Sequence, residues 1–167
     1  INVMEEGVIE KCAAYAAREH GDARRALELL RVAGELAERN GELKIKIDHL
    51  DQAEEKIERD RILDVVKTQP KQFQITLYSI LKVCDKNNKV FTGEIYDHYK
   101  KTCNKVNIKP LTQRRLSDII GEFDMLGIIN ARVISKGRYG RTREITVAIH
   151  PSTFPKVEEI LQEGLGL

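Results

Sequence analysis

The chain has 167 residues, 41% of them hydrophobic and 5% aromatic, with no tryptophan and a formal net charge of +2. That length suits one or two small domains with aliphatic, helix-rich packing. No apolar run approaches the ~18 residues a membrane span needs and no signal peptide is visible, which points away from a membrane role. The charge is unevenly placed: −4 over residues 1–67, +3 over 68–91, +5 over 92–150 and −2 over 151–167. An acidic first part and a basic centre predict two modules, residues 1–68 and residues 69–167, the second facing a polyanion. The cysteines Cys12, Cys84 and Cys103 are odd in number and form no CxxC pair, so they read as reduced structural thiols of an intracellular protein. His20, His49, His98 and His150 show no ligand spacing, and no metal is assigned.

In chain order, Glu5 to Glu19 carries Val8, Ile9, Cys12, Ala13 and Ala16 on one helical stripe. The chain starts at Ile1 and runs straight into this pattern, as a piece of a larger protein would. Asp22 is placed to cap a second helix, with Ala26, Leu27, Leu30, Ala33 and Ala37 inward and Asn40-Gly41 as its stop. Leu43 to Ile47 alternates and suits a short extended segment. Asp48 then caps a charged helix bearing Leu50, Ala53, Ile57, Ile62, Val65 and Val66, which leads toward the second module, and Pro70 marks the hinge.

The second module opens with a helix whose stripe is Phe73, Leu77, Ile80, Leu81 and Cys84, followed by a turn over 85–89. Thr92 is expected to cap a helix with Ile95, Tyr96 and Tyr99 inward. Asn107 to Pro110 turns the chain into the stretch that carries most information. Thr112 caps a third helix with Leu116, Ile119, Ile120, Phe123 and Leu126 on one face, ended by Gly127. At about 100° per residue, Arg114, Asp118, Gly121 and Met125 lie opposite that face, with Ser117 beside them. Ile129–Ser135 and Arg143–Ile149 are rich in β-branched residues and predict a hairpin around Lys136-Gly-Arg-Tyr-Gly-Arg-Thr142. Arg132, Lys136, Arg138, Arg141 and Arg143 lie in a run with no acid.

A helix followed at once by a basic hairpin is the winged-helix arrangement, with the helix as recognition element and the hairpin as wing. The alternative is a hairpin whose charges only keep it soluble. The single sign of the charge, with a tyrosine among it, favours a nucleic-acid role. After Pro151, Phe154 to Leu161 is a last amphipathic helix and residues 164–167 read as a loose tail.

Gly21-Asp-Ala-Arg-Arg-Ala-Leu-Glu-Leu-Leu30 resembles the sensor-2 segment of AAA+ ATPases. More narrowly, the chain resembles the archaeal origin-recognition and cell-division-control (Orc/Cdc) initiator family. Further matches are Ile57-Glu-Arg-Asp-Arg61, Thr92-Gly-Glu-Ile-Tyr96, Phe123-Asp-Met-Leu-Gly127 and Ser135-Lys-Gly-Arg-Tyr-Gly-Arg141. The resemblance covers nearly the whole chain. It implies a mainly α architecture: part of a helical AAA+ lid with its linking helix (1–68), then a winged helix-turn-helix with a β-hairpin wing and a C-terminal helix (69–167).

The resemblance also implies the function, a DNA replication initiator fragment that binds double-stranded origin DNA. The implied DNA-contacting residues are Thr112, Gln113, Arg114, Arg115 and Ser117 on the helix and Lys136, Arg138, Tyr139 and Arg141 on the wing. Arg24 maps to the sensor-2 arginine, which reaches nucleotide phosphates only when the ATPase core is present. No GxxxxGK[ST] phosphate loop and no acidic Walker-B strand occurs, so the fragment is not expected to be an enzyme by itself. ATP or ADP with magnesium would belong to the longer protein, not to this piece. Other initiator copies and the replicative helicase are implied partners, and the cytoplasmic nucleoid the implied location. Two other readings stay open here. One is a winged-helix transcription regulator with a helical dimerisation domain; the other is a winged helix whose basic face docks an acidic protein.

Overall fold

The computed structural model describes residues 3–18, 22–84, 89–135, 137 and 140–167. The chain divides into two compact units, Ile1–Arg61 and Ile62–Leu167.

The first unit is helical. Helices α1 (Val8–Arg18) and α2 (Ala23–Arg39) and the first part of α3 (Ile47–Thr68) enclose a small aliphatic core of Val8, Cys12, Leu29, Val32, Ala33, Leu50 and Ala53. Asp22 caps α2 as expected, its carboxylate accepting the Arg24 N–H at 2.9 Å. Three expectations about faces are corrected. Ile9 is 63% exposed, Leu27 is 68% exposed and Ala13 is exposed too, while Leu29 and Val32 are buried instead. Leucines stand at 27, 29 and 30, so the apolar arc of α2 is wider than its contact; packing, not periodicity, selects which part is covered.

The segment before α3 makes one parallel bridge, Met4 to Ile45. Asp48 does not cap α3, because the helix already starts at Ile47. The Lys46 N–H instead donates to Nδ1 of the buried His49 at 3.0 Å. Polar ties lace the three helices: Lys11 to Asp51 at 2.7 Å and Arg25 to Glu54 at 3.0 Å.

The second unit is built on α4 (Lys71–Cys84), which is buried along most of its length by Ile75, Leu77, Ile80 and Leu81. Its buried Thr76 and Ser79 hydroxyls donate back to the carbonyls of Gln72 and Ile75, each at 2.8 Å. This satisfaction within the helix is what lets polar residues sit in the core. Around α4 pack β1 (Val90–Phe91), α5 (Thr92–Lys105), α6 (Gln113–Met125), β2 (Ile129–Ser135), β3 (Arg141–Val147) and α7 (Phe154–Leu165).

The sheet is antiparallel in the order β1-β3-β2. Ile129 pairs with Val147 and Ser135 with Arg141, and β1 closes the far side of β3 through Val90 and Ile145. Three helices, a short strand and a two-stranded wing form the winged helix-turn-helix that the sequence predicts.

Three details differ from expectation. Thr92 is the first residue of α5 and is buried; the cap residue is Phe91, whose N–H is taken by the Glu94 carboxylate at 2.8 Å. The chain leaves a paired strand at Phe91, so the cap forms from the helix side. Strand β3 starts at Arg141 and ends at Val147 rather than spanning 143–149, because pairing with β2 already begins at Ser135 and Arg141 and ends at Ile129 and Val147. Cys84, by contrast, packs half-buried against the core as its place on the α4 stripe predicts, and burial pushes its thiol up to about 11. Finally, α7 continues to Leu165, which is buried, and ends on Gly166 at φ +70°. The tail is therefore a capped helix end, with the Leu167 N–H on the Gln162 carbonyl at 3.0 Å. The turn expected over 85–89 lies largely outside the described residues.

Candidate nucleic-acid interface

The recognition helix α6 is fixed at both ends by local chemistry. Thr112 Oγ1 accepts the Arg115 N–H. At the other end Gly127 (φ +71°) lets the Gly127 N–H reach the Asp124 carbonyl and the Ile128 N–H reach that of Phe123, each at 3.0 Å. This is a Schellman closure with Phe123 and Ile128 both buried beneath it. Leu116, Ile119, Ile120 and Phe123 hold the inner face, and Phe73 meets Phe123 edge-on at 5.9 Å.

The turn leading into α6 is held by side chains that the sequence reading passes over as core. Asn107, at φ +54°, ends α5 in the left-handed region, where asparagine is better tolerated than most residues. Tyr99 Oη accepts the Leu111 N–H at 2.9 Å and donates to Gln72 Oε1; Gln72 Nε2 donates to the Lys109 carbonyl at 2.9 Å. Tyr96 Oη donates to the Leu111 carbonyl at 3.2 Å. Burial pushes the Tyr99 phenol up to about 12, so it remains a donor at any physiological pH. These bonds set where the α6 N-terminus starts. Tyr99→Phe should leave the Leu111 N–H unpaired and lower stability by about 1–2 kcal/mol, read as a shift of the urea midpoint with an unchanged slope.

On the outer side Gln113, Arg114 and Arg115 are exposed in the first turn of α6, and Arg115 lies 3.5 Å from Asp118. Arg114 has no ion-pair partner among the described residues. A cleft of about 380 Å³ runs between α6 and the wing, lined by Thr92, Gln113, Ser117, Val133, Arg141, Thr142 and Arg143. Of the residues expected to contact DNA, Gln113, Ser117 and Arg141 thus share one cleft. Thr112, Arg114 and Arg115 stand on the helix beside it. Lys136, Arg138 and Tyr139 lie outside the described residues.

The wing's cations divide by strand alternation. Arg141 and Arg143 share the face of Ile145 and Val147, while Arg132 sits opposite Glu144 on the other face. Arg143 is not an open cation of the wing. Its Nη1 donates to the Ser117 carbonyl at 2.6 Å, over Gly121, whose absent Cβ would stand 3.4 Å from that nitrogen. Gly121 is therefore the seat of a guanidinium rather than open helix surface. Val133, 60% exposed, adds an apolar wall to the cleft. The hairpin was legible beforehand; the reach of Arg143 back to α6 was not.

In the first unit, Arg24 projects outward with its side chain 91% exposed and pairs with Asp22 at 3.0 Å. Its hydrogen bonds hold the Asp22 carboxyl below the usual carboxylate range. Arg25 is 11% exposed and engaged with Glu28 and Glu54. Gly21 lies outside the described residues. Among the described residues no cluster of His, Cys, Asp or Glu could hold a metal ion, and no helix is long and apolar enough to cross a membrane.

A helical unit followed by a winged helix whose α6 and wing flank a cleft bearing Arg141 and Arg143 defines the class: a winged-helix module preceded by a helical domain. Residues 1–55 match the Cdc6 AAA+ ATPase-type lid domain, and residues 64–157 match the C-terminal winged helix domain of CDC6. The chain is 56% identical to the ORC1-type DNA replication protein of Pyrococcus abyssi over 151 residues, covering 89% of this chain and 36% of that protein. It is 52% identical to that of Pyrococcus furiosus over 162 residues, covering 96% of this chain and 38% of that protein. The chain thus spans little more than a third of these curated relatives. The structure of the Aeropyrum pernix ORC1 protein in complex with DNA superposes with a TM-score of 0.86 at 47% identity, over 98% of this chain and 42% of that one. Drosophila ORC bound to DNA shares the fold at 16% identity and a TM-score of 0.52, covering 94% of this chain and 40% of that one. The chain belongs to the ORC1/Cdc6 family of replication initiators, and corresponds to its lid and winged-helix portion.

Proposed function

We propose that this chain is the origin-binding portion of a replication initiator, gripping duplex DNA with α6 in the major groove and the wing along the backbone. The observation that carries this is the cleft, where the helix residues Gln113 and Ser117 face the wing residue Arg141, with Arg114 and Arg115 alongside. The 47% identity to an ORC1 protein solved in complex with DNA supports the same reading. Thr112, Gln113, Arg114, Arg115 and Ser117 serve the helix side, and Lys136, Arg138, Tyr139 and Arg141 the wing side. The α6 N-terminus, where the helix dipole leaves partial positive charge, suits phosphate.

Residues 1–68 serve as lid and linking helix to an ATPase core carried elsewhere in the longer protein. The fragment, without a phosphate loop, does not hydrolyse ATP by itself. In the longer protein ATP or ADP with magnesium supplies the phosphate charge that Arg24 neutralises. Asp22 keeps Arg24 exposed and ready to exchange its carboxylate for phosphate. The assembly works in the cytoplasm on the nucleoid, with further initiator copies and the replicative helicase as partners.

The test is an anisotropy titration of the chain against origin-repeat and random duplexes at low salt, with the mass of the free chain read by size exclusion. Tight binding to duplex by a monomer is expected. Failure to bind either duplex sinks the proposal, and a two-fold symmetric dimer points to a transcription regulator instead. Arg24→Ala should leave DNA affinity of this chain unchanged and, in the longer protein, impair the nucleotide-dependent step. A fall in DNA affinity of the chain itself would contradict the division of labour between the two units.

A further inference from the structure

The base of the wing is anchored in the core by Ile145, fully buried and paired with Ala131 and Val90. Asp124 on α6 adds a tie by accepting the Ala131 N–H at 2.8 Å. Two residues nearer the tip, core packing has ended, since Val133, the cross-strand partner of Arg143, is 60% exposed. At that level Arg143 reaches from β3 to the middle of α6, with Nη1 on the Ser117 carbonyl at 2.6 Å. A carbonyl oxygen has two lone pairs, so it can accept this bond in addition to its helical one. The seat exists because residue 121 is glycine: its missing side chain leaves room for both guanidinium nitrogens, 3.4 and 3.9 Å from where a Cβ would stand.

We propose that Arg143 is a positioning residue. It fixes the angle between the wing and the recognition helix, and so the width of the cleft, without itself contacting DNA. The reasoning is geometric. A two-stranded ribbon beyond its last core contact is free to twist. The Arg143 bond is charge-assisted and half-buried, and it joins the two elements that must grip one duplex at a set spacing. The inference rests on the DNA-binding reading above and refines it, since a cation that the sequence places in the acid-free basic run of the wing becomes part of the frame.

The experiment measures duplex affinity of the full 167-residue chain across a salt series for wild type, Arg143→Met and Arg141→Ala. Arg143→Met should weaken binding roughly tenfold, about what one hydrogen bond to a charged group is worth, with the salt slope unchanged. Arg141→Ala should lower that slope by about one, as loss of a phosphate contact does. A slope reduced equally in Arg143→Met makes Arg143 a phosphate contact and overturns the positioning role; so does an unchanged affinity. A wild type that fails to bind duplex at all removes the DNA-binding reading first. A second measurement does not depend on the folding of any variant. In wild type, the guanidinium ¹H–¹⁵N signals of Arg143 should be restricted in the free chain and unmoved when duplex is added, whereas those of Arg141 shift. Movement of the Arg143 signals on binding overturns the proposal.

Discussion

Raising salt from about 50 to about 200 mM should weaken duplex binding by this chain roughly 60- to 250-fold, the consequence of a slope of about −3 to −4 in log K against log salt. Neutralising about four phosphates releases that many condensed counterions. The cations available for it are Arg114 and Arg115 on the first turn of α6 and Arg141 on the cleft face of the wing, with Lys136 and Arg138 of the tip. Arg143 and Arg132 are left out of that count: the first is bonded to the Ser117 carbonyl, and the second lies opposite Glu144 on the reverse face of the hairpin. Anisotropy titrations at several salt concentrations measure the slope. An affinity independent of salt would mean that the basic face docks an acidic protein surface through packing rather than a polyanion.

The recognition helix and the wing should fail differently. Arg114 projects from the first turn of α6, exposed and with no ion-pair partner among the described residues. Such a side chain in the major groove can take guanine bidentately, worth about 1–3 kcal/mol of discrimination. Arg114→Ala should therefore narrow the gap between origin and random DNA by roughly 5- to 150-fold while costing random DNA little. The double variant Arg138→Ala with Arg141→Ala should weaken both DNAs alike and flatten the salt slope, because backbone contacts position a protein without reading sequence. Competition titrations at one salt concentration compare the two. Equal losses on both DNAs for Arg114→Ala would make α6 a backbone binder and move base reading elsewhere in the longer protein.

How much of this was legible beforehand depends on the range of the forces involved. The ends of α6 are set by residues within a turn of each other. Thr112 takes the Arg115 N–H, and Gly127 adopts the positive φ that closes the helix. Both follow from the order of residues alone. The inner face of α6 was equally plain, because four buried residues recur at helical spacing on a helix that is polar elsewhere apart from Gly121 and Met125. Where apolar residues ring a helix, periodicity lost its power. Leu27 and Ile9 stayed outside although they fit the pattern, and α7 ran on to Leu165 because the core received that leucine.

The sequence by itself determined the winged-helix type of the second module, the stretch that carries its basic residues and the GDxR segment at a helix start. These rest on local propensity, capping and charge, which act between near neighbours. Only the tertiary structure decided which cations are open and which are structural. Arg141 and Arg143 are two residues apart on one strand face, chemically identical, and indistinguishable in one dimension. They part company because a glycine 22 positions earlier in the chain, on another element, leaves a seat for one guanidinium beside the Ser117 carbonyl. In the same way Gln72, Tyr96 and Tyr99 read as ordinary helix residues, yet their polar atoms converge on Lys109 and Leu111 and so aim the recognition helix. Hydrogen bonds between distant segments form only once the chain has folded, and the order of residues carries no local trace of them.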